Sequence, residues 1–108
     1  MMHKNLDLND QNKITVMLMQ ALGGAVSQNF RMVAIGFTDP VLQLLFVLAD
    51  ESAEDREEIE DVAGEFDSLL LGIKSEVLKF DVTIIVNTEP LKILDPSLWR
   101  TVFRRREV

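Results

Sequence analysis

FRMVAIGFTDPVLQLLFVLA, residues 30–49, carries the strongest β signal in the chain and decides how the rest is read. Residues 30–37 favour extended backbone, Asp39-Pro40 punctuates, and residues 41–49 are almost wholly apolar. The pattern predicts two strands joined by a short turn. Strict alternation places Arg31, Val33, Ile35 and Phe37 on one face of the first strand, with Phe30, Met32, Ala34 and Gly36 on the other. The second strand is apolar on both faces, Val41, Leu45 and Val47 against Leu42, Leu44, Phe46 and Leu48. Such a strand needs cover on both sides, from flanking helices or from a second subunit.

Upstream, Ile14, Met17, Leu18, Ala21 and Leu22 fall at the i, i+3, i+4, i+7, i+8 spacing of a helical stripe, and Gly23-Gly24 supplies the stop. A first helix over about residues 9–22 follows, behind a flexible polar leader, residues 1–8. Downstream, Ser52 is placed as N-cap of a second helix with Asp55 three residues on, and Ile59, Val62, Ala63, Phe66, Leu70 and Ile73 form its buried stripe. KFDVTIIVN, residues 79–87, reads as a third strand. After a loop marked by Pro90 and Asp95-Pro96, LWRTVFRRR, residues 98–106, reads as a last edge strand. The expected architecture is a single α+β domain spanning residues 1–108, in the order α-β-β-α-β-β, with a mainly antiparallel four-stranded sheet packed by helices.

Charge is the other conspicuous feature. Eleven Lys and Arg against eighteen Asp and Glu give a net charge of −7, which argues against holding nucleic acid by phosphate neutralisation. Ten of the acids lie between Asp50 and Asp67, and Arg100, Arg104, Arg105 and Arg106 cluster near the other end. At about 100° per residue, Glu54, Glu57, Asp61 and Glu65 fall on the side of the second helix opposite its apolar stripe. Like charges at i, i+4 cost about 0.2–0.5 kcal/mol each, and acids in the first turn recover about 0.3–1 kcal/mol each from the helix dipole. Stability therefore neither requires nor forbids the ridge. It reads either as a solvated face or as a recognition surface for a cationic partner. A divalent-metal site is disfavoured, because the helix lacks the turn and glycine of a calcium loop.

Groups suited to catalysis are scarce. The chain has no Cys and no Tyr, and its one histidine, His3, lies in the polar leader. The serines have no nucleophile-elbow context, and Gly23-Gly24 is neither a phosphate loop nor a dinucleotide fingerprint. The expectation is a non-enzymatic protein without cofactor or metal. The absence of Cys, of a secretory signal and of any apolar run long enough to cross a bilayer points to a cytoplasmic protein that binds no membrane. The arginine cluster reads as edge protection before nucleic-acid binding, and Trp99 fits either a core lid or an interface anchor.

At LMQALGGAVSQNFRMVAIGF, residues 18–37, and VFRRREV, residues 102–108, the sequence resembles a group of small acidic bacterial proteins with a leucine-rich helix, a Gly-x-[Ile/Val]-[Ser/Thr]-x-Asn-[Phe/Leu]-Arg turn and an arginine-rich end. Gly24, Val26, Ser27, Asn29, Phe30 and Arg31 carry the turn. That group is similar to the immunity proteins that accompany contact-dependent growth inhibition and other polymorphic toxins. The resemblance implies a protein that binds and neutralises a cognate toxin. A basic nuclease domain is the expected target, and Glu54, Glu57, Asp61 and Glu65 are the expected contacts. The competing expectation is an assembly module, a homodimer joined through an apolar sheet surface.

Overall fold

A computed structural model describes residues 6–37, 41–72 and 79–107. His3, the Asp39-Pro40 turn and Ile73 lie outside them. Helix α1 (Leu8–Leu22) is followed by strands β1 (Phe30–Gly36) and β2 (Leu42–Leu48), helix α2 (Ala53–Leu70), and strands β3 (Phe80–Val86) and β4 (Trp99–Arg104). The element order is the expected one. Residues Leu6 and Asp7, assigned to the polar leader from sequence, belong to the fold: Leu6 is buried, and the Asp7 carboxylate caps α1 by accepting from the Asp10 N–H at 2.8 Å. At the other end Gly23, at φ 44°, takes the left-handed turn that closes the helix.

The sheet order is β3-β2-β1-β4. Antiparallel ladders join β1 to β2 and β1 to β4, but β2 and β3 run parallel, so the sheet is mixed, where the sequence reading expected it mainly antiparallel. The reason is the connection. β1 and β2 follow one another with no helix between them, whereas α2 intervenes between β2 and β3, and a helical crossover returns the chain to the end from which it started.

Both helices cover one face of this sheet. α1 and α2 share a core with Phe30, Val33 and Ile35 of β1 and with Leu42, Leu44, Phe46 and Leu48 of β2. Edge-to-face ring pairs stitch it: Phe30 with Phe46 at 6.4 Å, and Phe66 of α2 with Phe80 of β3 at 5.1 Å. Met32, Ala34, Leu45 and Val47 form a smaller cluster on the opposite face, covered by Leu91, Leu94 and Trp99. β2 thus lies inside the sheet, and its second face is covered by the β3–β4 connection. Its two-sided apolar character is satisfied within one chain by neither of the covers considered from sequence. Trp99 serves as a lid, its ring seated on Gly36 so closely that a Cβ there would meet it at 3.0 Å.

Phe30 shares the helix-covered face with Val33 and Ile35, which simple alternation forbids. Phe30 stands opposite Leu48 and Met32 opposite Val47, so Arg31 is the extra residue of a β-bulge. The bulge turns Phe30 into the main core and frees the Arg31 side chain for the far side.

Candidate functional site

The family-like turn at residues 24–31 is where sequence reasoning placed a signature, and the side chains of Ser27, Asn29 and Arg31 are spent inside the molecule. Ser27 Oγ donates to Asp55 Oδ1 at 2.9 Å, and Asn29 Nδ2 donates to Asp55 Oδ2 at 2.8 Å. Asn29 also exchanges two hydrogen bonds with the backbone of Asp50, at 2.8 and 2.9 Å. Asp55 is 7% exposed. Its N–H donates to Ser52 Oγ at 3.1 Å, but its carboxylate does not return to the cap as a capping box would require; it ties α2 to the turn before β1.

Arg31, at 3% exposure, is more deeply committed. Its Nε and Nη2 donate to the two Glu107 oxygens at 2.8 Å each; Nη2 also reaches the Glu89 carbonyl at 2.7 Å. Nη1 reaches the Asn87 carbonyl and Oδ1 at 2.8 and 3.0 Å. All five N–H groups of the guanidinium are used, so a buried charge is fully satisfied. The bidentate bond from Arg31 holds the Glu107 carboxyl down at about 2.

Two arginines of the arginine-rich end are also engaged within the molecule. Arg100 bonds Asn12 and Gln11 of α1 and lies 5.6 Å from the centre of the Phe37 ring, while Arg105 donates to the Gln28 carbonyl at 2.8 Å and pairs with Glu107 at 3.1 Å. None of these arginines touches the acids of α2.

The acidic flank of α2 is the opposite case. Glu54, Glu57, Asp61 and Glu65 are all exposed, and among the described residues none of them has an ion-pair or hydrogen-bond partner. Among the described residues Arg56 is the one cation that pairs within the stretch, and it is taken by Glu51. Two of the four also face α1. Asp61 and Glu65, joined by Glu58, line a shallow groove of about 330 Å³ whose other wall is the C-terminal end of α1, residues 20–25. Glu54 and Glu57 do not line it. Glu58 was missed from sequence because the opposite side of the stripe was taken as the free side; at 100° per residue it lies 20° from Glu65, on the flank that α1 approaches. α1 has no basic residue in its last turn. The negative end of its dipole therefore meets three carboxylates with no cation lining the groove among the described residues, an arrangement that a docking lysine or arginine would relieve.

Among the described residues no cluster of His, Cys, Asp or Glu could hold a metal ion, and no helix is long and apolar enough to cross a membrane. Fold and site together define a small α+β protein whose surface chemistry is concentrated in unneutralised charge. The sequence matches the MafI2 immunity protein family over residues 11–107, and the chain belongs to that family. Membership assigns it a role in toxin immunity and implies a cognate toxin as partner. No curated protein matches the chain.

Proposed function

We propose that this chain neutralises its cognate toxin by seating the acidic flank of α2, with the groove at the end of α1, against a basic surface of the toxin. The observation that carries this reading is that Glu54, Glu57, Asp61 and Glu65 are exposed and without a cation among the described residues, while Arg31, Arg100 and Arg105 are engaged inside the molecule. A nuclease domain is the target that fits best, because an enzyme that binds phosphates concentrates Lys and Arg at its substrate cleft. Covering such a cleft blocks nucleic acid without any chemistry by the immunity protein. Charge speeds the encounter, and a few buried anchors hold it. The complex forms in the cytoplasm, where the nuclease would otherwise reach its substrate.

The test is association kinetics with the cognate toxin domain. Replacing Glu57→Lys and Asp61→Lys together is expected to slow association about 10- to 100-fold at low salt and to flatten its dependence on ionic strength. Unchanged kinetics would remove this flank from the interface. Inhibition should also titrate one to one, and turnover of toxin by substoichiometric immunity protein would overturn the non-catalytic reading.

A further inference from the structure

The two edges of the sheet are built differently. β4 is guarded: its register against β1 shifts between Val33 and Ala34, marking a bulge, and it carries Arg100 and Arg104. β3 has none of these devices. It pairs with β2 in unbroken register from Phe80 to Val86, contains no Lys, Arg or Pro, and bears one charge, Asp81. Among the described residues no strand covers its outer edge. Val82 and Ile85, on opposite faces, are 39% and 38% exposed.

The phase of the ladder shows which groups point outward. The Leu42 N–H donates to the Lys79 carbonyl and the Asn87 N–H to the Leu48 carbonyl, at the two ends of the pair. In a parallel ladder this directs residues 79, 81, 83, 85 and 87 toward β2. It leaves the N–H and C=O of Phe80, Val82, Ile84 and Val86 aimed away from the sheet.

We propose that this edge takes a second copy of the chain, β3 pairing antiparallel with β3 across a two-fold axis at Thr83, so that two four-stranded sheets become one of eight. The strand is complementary to itself in that register. Phe80 then meets Val86 and Val82 meets Ile84, so every outward donor and acceptor finds its mate, while Thr83 meets Thr83 as a close non-hydrogen-bonded pair. Charge permits it as well. Asp81 stands opposite Ile85, and the two Asp81 residues lie about 13 Å apart, beyond the ~10 Å Debye length at 0.1 M salt. The surface is separate from the flank assigned to the toxin.

Sedimentation of the full chain, with and without substitutions at Thr83, tests this. The wild type is expected to dimerise with concentration and more strongly at high salt, because each copy carries −7, whereas toxin binding by charge weakens with salt. In the cysteine-free chain, Thr83→Cys is expected to form a disulfide-linked dimer under oxidised glutathione about tenfold or more faster than Ser68→Cys on α2, since facing Cβ atoms sit about 4.5–5.5 Å apart. Thr83→Lys, at an exposed position, is expected to stay monomeric with an unchanged thermal melt. A wild type that stays monomeric at its highest soluble concentration, or a Thr83→Cys chain that links no faster than Ser68→Cys, overturns the proposal. If Thr83→Lys leaves sedimentation unchanged but weakens toxin binding, the edge belongs to the toxin and not to a second copy.

Discussion

Two polar regions of this small protein have opposite fates. In the turn before β1, Ser27, Asn29 and Arg31 each end in a hydrogen-bonded partner supplied by a distant segment: Asp55 for the first two, and Asn87, Glu89 and Glu107 for the third. On α2, Glu54, Glu57, Asp61 and Glu65 have no such partner among the described residues. The polar residues of the signature that resembles a family are thus internal ties, and of the signature residues Gly24 alone lines the groove assigned above to a partner.

The comparison breaks most visibly at Arg31. Arg31→Ala strands the Glu107 carboxylate and two backbone carbonyls, and is expected to lower the thermal midpoint by on the order of 10 °C or more, read by circular dichroism. A smaller loss is expected for Asp55→Ala, about 1–3 kcal/mol by urea denaturation, because Ser27 and Asn29 lose their shared acceptor. Toxin affinity per folded molecule should be retained in both.

Acid sharpens the contrast. Glu107 titrates lower in the folded chain than unfolded, so its contribution is fully present above about pH 4.5 and is lost as pH falls toward 2. Urea midpoints measured across that window should fall less steeply for Glu107→Gln than for the wild type. The smallest stability effect belongs to the acidic flank. The Glu57→Lys, Asp61→Lys protein should match wild-type stability within about 0.5 kcal/mol in urea, even though its association with toxin is slowed. A large loss of stability there would mean the flank serves the fold after all.

Local patterns made the element order legible. Stripe spacing, the Ser52 cap and the Gly23 stop sit where the helices begin and end, and the four strands lie within their expected segments. The direction of β3 was also within reach, since a helix between β2 and β3 favours a parallel crossover; reading the strand alone hid it. The bulge at Arg31 was not legible, because one extra residue reverses every face after it without changing composition. The same holds for the site. The four acids were visible as exposed charge, yet Glu58 joins Asp61 and Glu65 only because α1 arrives on that flank.

By itself the amino-acid order determined which segments are helix and strand, that the chain is acidic, and that its acids gather on one helix away from its apolar stripe. Each of these follows from neighbours within a few residues. Only the tertiary structure decided that Arg31 meets Glu107, that Arg100 and Arg105 turn away from the acids of α2, and that Glu58, Asp61 and Glu65 share a groove with the end of α1. Those outcomes join residues dozens of positions apart, and they are set by how the sheet and its crossover fold the chain back on itself, which no local pattern encodes.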